Sequence, residues 1–388
     1  MPGDYTKFTH KPEKRYSSVL MQQGRVQLDA DSNEQVEILK RRWEVQAMDT
    51  FGKCVVPTSI PGNATAFQIT IAGPDDLNID AGRMYVDGLL AEIFETETSP
   101  SQPISYLNQP FYPQPPPLSN FSGNAVAYLD VWDREITYLQ DRDLLEKALG
   151  GVDTATRIQT VWQVKVHAPG DCNTDFSQPP FSPSAGRLSS RAVQPPASDD
   201  PCVLSPTGGY RGLENRLYRV EIHNPGTQGD LTSVLFKWSR ENASVVSSVE
   251  AMTTQGNQSQ LTVSRIGRDR VLRFKIDDWV ELLDDDRELM GEAGAMARIV
   301  NIDEANRKIT VDWVLPVPTN FDATDATRHT RLIRWDQQDG VAPNGGLVAG
   351  SIGWIALEDG VEVQLSLYPG SGSFHVGDYW VFAARTAG

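Results

Sequence analysis

Between residues 16 and 47 the spacing of apolar positions changes period. Val19, Leu20 and Met21 form a short apolar run that Gly24 ends, and Val26 and Leu28 then alternate with Arg25, Gln27 and Asp29. That two-residue period predicts a half-buried strand. From Val36 the period lengthens: Val36, Leu39, Trp43 and Ala47 recur every three or four residues, so one helical face is apolar. Asp31, Ser32 or Asn33 is placed to cap this helix, with Glu34 in its first turn at the favourable end of the dipole. An extended arm leading into an amphipathic helix predicts an element that joins subunits rather than an active site. The arm residues Tyr16, Val19, Leu20, Met21, Gln22, Gln23 and Arg25 are expected to lie on another chain, because terminal arms need something to tie them down.

Downstream, short strands dominate. Phe67, Ile69 and Ile71 alternate with polar neighbours, and residues 79–93 read as a hairpin turning at Asp87-Gly88. Residues 99–123, with Pro103, Pro110, Pro113, Pro115, Pro116 and Pro117, predict a stiff loop. Strands are expected over 125–137 and 155–166, around a short helix at 142–149 stopped by Gly150-Gly151. Residues 168–209, rich in Pro, Ser, Gly and Asp, predict a long loop. Strands follow at 216–223 and 233–239. Residues 261–263, 271–276, 279–283, 297–302 and 309–314 have the close spacing of a small SH3- or OB-like barrel. Strands at 331–335, 351–357, 361–367 and 379–383 are expected to rejoin the core sheet. The predicted fold is mainly β: a mixed β-sandwich/barrel core with an N-terminal arm and helix and an inserted small barrel. The expected division is 1–50 for the arm and helix, 51–257 for the core with loops 99–123 and 168–209, 258–316 for the barrel, and 317–388 for the returning strands.

Composition narrows the partners. At 388 residues and 39% hydrophobic content the chain can bury two or three cores. A net charge of −16 argues against nucleic acid, which needs clustered Lys and Arg, and suits the solubility of a large assembly or a basic neighbour. No apolar run approaches the ~20 residues of a membrane span, and the polar N-terminus lacks the apolar core of a signal peptide, so cytoplasmic synthesis without direct membrane insertion is expected. Cys54, Cys172 and Cys202 are odd in number and widely spaced, which disfavours zinc; a Cys172–Cys202 disulfide stays open.

Candidate chemistry is sparse. Asp130, Asp133 and Glu135 surround Trp132, as the carboxylates and sugar platform of a glycosidase would. Asp130 and Asp133 have opposite strand parity, however, and a solvated strand end over a core Trp is the better reading. Asp284-Asp-Asp286 with Glu281 and Glu288 offers oxygens to calcium but lacks the spacing and central Gly of an EF-hand loop, so an acidic turn is expected. His10, His167, His223, His329 and His375 fall in no metal-ligand spacing, and no serine-hydrolase or phosphate-loop motif occurs. Arg211, Glu214, Arg240 and Glu241 suit charge-assisted pairs, either across a subunit interface or in an internal network. No catalytic, cofactor-binding or metal-binding residue is expected.

The run Tyr16-Ser-Ser-Val-Leu-Met-Gln-Gln-Gly-Arg-Val-Gln-Leu-Asp-Ala-Asp31 resembles the opening signature of an uncharacterised domain family encoded in gene clusters for contractile injection systems, the phage-tail-like particles of bacteria. Segments 129–137, 148–157, 210–223, 236–242, 357–363 and 377–380 share that resemblance, which therefore spans nearly the whole chain. Ser32 departs from it, at a position where a Trp precedes the Asn-Glu. The resemblance implies a structural, non-enzymatic component of such a particle, near the baseplate or spike. Its implied partners are itself, as a trimer or hexamer, and other particle proteins, in a particle kept inside the cell or released on lysis. Two alternatives remain: a fibre-like glycan-binding or membrane-anchoring adaptor, marked by exposed Trp in a shallow groove, and a particle-borne cell-wall hydrolase, marked by a cleft with two carboxylates of raised pKa.

Overall fold

The computed structural model describes residues 3–94, 103–178, 181–193, 209–267, 269–314, 316–338, 345–368 and 372–385. Strand outweighs helix, 37% against 14%, so the fold is mainly β as the alternating patterns require. The chain divides into two compact units, residues 9–182 and residues 183–388 together with 2–8.

The first unit opens with the arm and helix α1 (Asp29–Phe51). The arm does not form the strand its alternation predicts: Val26 is 84% exposed and pairs with no strand among the described residues. The helix also starts earlier than its polar residues suggest. Leu28 is the extended N-cap, without a side-chain cap, and its carbonyl accepts from the N–H groups of Asp31 and Ser32. Asp29 and Asp31 therefore occupy the first turn, where their charge opposes the helix dipole. Gly52, at φ +78, ends the helix by donating its N–H to the Met48 carbonyl.

Strand β1 (Cys54–Val55) edges a sheet with β4 (Gly82–Val86) and β5 (Leu89–Ile93), while β3 (Leu77–Ile79) pairs with β2 (Ile69–Ile71) on one side and β6 (Ile104–Ser105) on the other. The β4–β5 hairpin turns at Asp87-Gly88 as expected, with both residues at positive φ, the conformation a two-residue hairpin turn demands. The eleven-residue strands β7 (Val126–Ile136) and β10 (Arg157–His167) pair along their full length. Between them, 142–149 is not a helix. Two 3-10 turns flank β8 (Leu145–Glu146), which pairs with β9 (Val152–Asp153) across Gly150-Gly151. The Pro-rich stretch is likewise more than a loop: Ile104, Tyr106 and Tyr112 enter the core beside Ile79, Ile93 and Trp162, against which Phe67 and Phe111 stand edge-on.

The second unit begins with β11 (Gly186–Ala192), a strand inside the region expected to be a loop. Its polar sequence hid it, and five of its seven residues are exposed. It joins β21 (Ile355–Ala356) and β22 (Val361–Leu367) in one sheet, whereas β12 (Arg216–Asn224), β13 (Leu235–Ser239), β20 (Val348–Ala349) and β23 (Tyr379–Ala384) form another. Their shared core holds Tyr218, Phe236, Trp238, Val363 and Phe374. The barrel is closed and has six strands: β14 (Val246–Gln255), β15 (Gln258–Val263), β18 (Lys308–Trp313), β17 (Ala295–Asp303), β16 (Trp279–Leu283) and β19 (Arg331–Trp335), in that order around the wall. Two expectations are corrected here. Residues 271–276 form no strand, although Phe274 is buried in the barrel core, and Arg331–Trp335 closes the barrel between β14 and β16 instead of rejoining the sheet. All five residues of β19 are buried: Leu332 lies in the barrel interior, and Ile333 and Trp335 enter a second cluster with Ala243, Met296 and Leu347.

Candidate functional site

The arm and α1 carry the largest concentration of uncovered apolar surface. Ten of the 28 exposed large hydrophobic side chains among the described residues lie between Tyr16 and Phe51. Leu20 is 85% exposed, Trp43 67%, and Tyr16, Met21, Leu28, Val36, Leu39 and Val45 are also exposed. The helical face predicted from Val36, Leu39 and Trp43 therefore exists and points into solvent. The helix is held from its other side, by buried Ala30 and Ile38, by Lys40 Nζ at 2.5 Å from Asp133 Oδ2, and by the close approach of Gly88 to the Glu44 backbone. The arm touches the helix sparingly. The Val19 N–H donates to Gln35 Oε1 at 2.8 Å and Gln27 Nε2 to Ser32 Oγ at 3.0 Å, and every residue from 11 to 29 except Val19 is exposed. Gln22, Gln23 and Arg25 share that exposure. Burying such a face removes roughly 25 cal/mol for each Å² of apolar area taken from water, and large uncovered patches mark interaction surfaces.

Elsewhere one group of charged side chains is turned inward. On β12, Arg219, Glu221 and His223 share a face at two-residue spacing, and Lys237 of β13 sits opposite Glu221 in the ladder. Lys237 Nζ lies 2.5 Å from both oxygens of Glu281, on barrel strand β16, and 3.1 Å from Glu221. Lys237 and Glu281 side chains are 2% and 1% exposed. The Gly294 N–H and Trp335 Nε1 donate to Glu281 at 2.9 and 3.0 Å, and Arg219 reaches Glu221 at 2.6 Å. Burial alone would raise the Glu281 carboxyl, but the Lys237 ammonium, with His223 beside it, holds it far below the usual carboxylate range. Glu221 is likewise lowered, by Lys237 and Arg219 against its burial. Burial alone would lower Lys237, yet Glu281 and Glu221 leave it raised. With two anions facing two cations and each carboxylate bonded, the cluster is a strut between strand sheet and barrel.

The acidic run 284–286 is not a solvated turn. Asp284 is buried, caps α2 (Asp285–Leu289) through the Arg287 N–H, and pairs with Arg328 at 2.5 Å. Asp285 meets Arg331 at 2.7 Å and His329 at 3.0 Å, and Glu288 also contacts Arg331. Guanidinium groups fill the positions that a cation would take, and no cluster of potential metal ligands occurs among the described residues. Arg240 and Glu241 also spend their charge within the chain: Arg240 reaches Glu358 at 2.7 Å, and Glu241 pairs with Arg216, which also holds Glu214. Arg211 is exposed, with its N–H bonded to the Asp359 carbonyl.

A family model described as a family of unknown function, DUF6519, matches residues 1–178 and 182–388. The chain belongs to this DUF6519 family. No curated protein and no solved structure matches it.

The remaining candidates are placed as follows in this DUF6519 chain. Asp130 pairs with Lys165 at 2.7 Å, and Asp133 with Lys40 and Thr160. Trp162, Trp238, Trp313 and Trp335 are buried, Trp132, Trp279, Trp354 and Trp380 are half-buried, and Trp43 is exposed. A shallow groove of about 320 Å³ runs along α1, lined by Arg41, Arg42, Val45, Gln46, Asp49 and Thr50, with a single carboxylate. Cys54 and Cys172 are unpaired and exposed, and Cys202 lies outside the described residues. No helix among the described residues is long and apolar enough to cross a membrane. The sequence reading missed the buried Lys237–Glu281–Glu221 cluster, although the alternation Arg219, Glu221, His223 inside an apolar strand was its visible sign.

Proposed function

We propose that this DUF6519 protein is a structural, non-enzymatic component of a contractile injection particle, positioned near the baseplate or spike, which joins its neighbours through the N-terminal arm and α1. The observation that carries the proposal is the crowding of exposed apolar side chains between Tyr16 and Phe51, on a segment whose sequence resembles the opening signature of proteins from such gene clusters. The ion networks support it. Lys237–Glu281 and Arg331–Asp285–Glu288 fasten strands and helix with paired, desolvated charges, which suits a body that must transmit load. Trp43 alone of the nine Trp is exposed, which speaks against a glycan platform built of several rings. The test is to purify extended particles from cells producing a tagged form of the chain and to measure its copy number by quantitative mass spectrometry. A fixed stoichiometry to the sheath protein is expected. Absence from particles that still assemble and contract would overturn the proposal.

A further inference from the structure

Residues 3–8 pack with the second unit, whereas the chain from Thr9 onward packs with the first. The segment 3–8 lies extended on its seat. Gly3 is buried, Tyr5 and Lys7 are half-buried, and Asp4, Thr6 and Phe8 are exposed, the alternation of a strand with one face covered. Two groups remote in sequence hold its backbone: Asn242 Nδ2 donates to the Gly3 carbonyl at 2.8 Å, and Arg385 donates to the Thr6 carbonyl. The second unit builds this seat firmly. Asn242 is 3% exposed and Ala243 is buried, both at positive φ, a costly backbone that the bond from the Asn242 N–H to the Leu217 carbonyl of β12 helps to fix. Arg385 is braced by the Arg216 and Ala384 carbonyls. The arm between the segment and α1 is loose by comparison. Residues 11–28 are exposed except Val19, and the arm meets the helix through the bonds of Thr9 to Glu34, Val19 to Gln35 and Gln27 to Ser32. Fully extended, residues 9–28 span about 65 Å.

We infer that residues 3–8 of one copy dock in the Asn242–Arg385 seat of a second copy, an exchange of identical segments between protomers. This rests on the assembly reading of the arm and deepens it by naming the occupant and the seat. The occupant follows from identity: the seat holds this segment in the structure, so exchange remakes every contact that the segment makes with it. The arm tips the balance. In the closed form Tyr16, Leu20 and Met21 stay in water, whereas in the exchanged form the arm crosses to the neighbour and its apolar side chains gain a surface to cover them. A flexible tether supplies an effective concentration on the order of mM, which a neighbour held alongside in an assembly matches. Segment and seat are different surfaces of one chain, so the exchange closes reciprocally in a dimer or runs head-to-tail around a ring.

The experiment is multi-angle light scattering over a concentration series. It compares the full chain, a seat-only chain lacking residues 1–8, a donor-only chain carrying Asn242→Asp and Arg385→Met, and an equimolar mixture of the last two. Asp tolerates the left-handed backbone at 242 and puts a carboxylate in place of the amide donor. Thermal melts confirm that each chain is folded. Each variant alone is expected to self-associate at least about tenfold more weakly than the full chain. The mixture is expected to form a heterodimer, because one chain brings an intact segment and the other an intact seat. A fluorescein-labelled peptide of residues 1–10 adds a readout that needs no seat variant. It should bind the seat-only chain at least about tenfold more tightly than the full chain, whose seat is filled. If the donor-only chain does not fold, the peptide and the seat-only mass decide. With an oligomeric full chain, a seat-only chain of the same mass, a folded mixture that stays monomeric, or a peptide that does not bind overturns the exchange and leaves the assembly role of the arm standing. A full chain that is monomeric at every concentration overturns both.

Discussion

Replacing Lys237 by Met removes the one full positive charge in direct contact with Glu281. The change keeps the length and apolar stem of the side chain, so little packing is lost. What remains around Glu281 is the Gly294 N–H, the Trp335 indole N–H and His223 at 3.7 Å, in a site where the carboxylate is 1% exposed. Those two donors solvate the anion in part, and Arg219 still holds Glu221. Breaking one side of a buried ion pair costs about 3–5 kcal/mol, and the surviving donors put Lys237→Met near the lower end, about 3 kcal/mol at neutral pH. The pH dependence fixes the cause. Glu281 and Glu221 are lowered in the folded protein, so their contribution is complete above the ordinary carboxylate range and is lost as pH falls through their folded values. Lys237 is raised, so its contribution holds below the ordinary lysine range and is lost as pH climbs past its folded value. In Lys237→Met the uncompensated Glu281 takes up a proton more readily, and the penalty should shrink on acidification toward about pH 4.5. Urea unfolding followed by Trp fluorescence reports this directly, since the Trp335 ring lies 4.7 Å from Lys237 Nζ. The paired change Lys237→Met with Glu281→Leu should recover most of the loss, because an apolar pair needs no desolvated charge. A penalty below about 1 kcal/mol at pH 7, or one that grows in acid, would refute the reasoning.

Three further outcomes are expected. Arg331→Met, which strips the guanidinium from Asp285 and Glu288 at a fully buried position, should destabilise the protein by about 3–5 kcal/mol in the same urea assay. Gly88→Ala places a methyl 2.7 Å from the Glu44 carbonyl at φ +85, so it should cost at least ~1–2 kcal/mol and loosen α1, seen as faster proteolysis within residues 29–51. Trp43→Ser should change the unfolding free energy of the isolated chain by no more than about 0.5 kcal/mol, because the ring is exposed there, while reducing self-association in light scattering.

What the sequence revealed followed how local its causes are. The β4–β5 hairpin was readable from Asp87-Gly88, whose turn chemistry acts over two residues, and β22 was readable from the strict alternation of Val361, Val363 and Leu365. The barrel was readable as a run of short strands, but its closure was not: β19 follows β18 only after the segment 314–330, and nothing in the local period says that Arg331–Trp335 fits between β14 and β16. The apolar run at 271–276 misled because Phe274 alone is buried there while Val271 and Ile276 are exposed. β11 escaped because an exposed strand needs no apolar residues. In the candidate surface, the helical period of Val36, Leu39 and Trp43 was visible, but periodicity cannot say whether a face meets its own core or another chain. The strand expected at Val26 and Leu28 failed because alternation in an arm supplies no partner strand. Arg240 and Glu241 were recognisable as pairing residues, and only the fold identified their partners as Glu358 and Arg216.

The most direct test of the account is the solution mass of the full chain and of a chain lacking residues 1–28, measured by light scattering across the same concentrations. The account predicts a defined multiple of 42.9 kDa for the full chain and a folded monomer for the truncated one. A full-length monomer at every concentration, or an oligomer that survives loss of the arm unchanged, would contradict it.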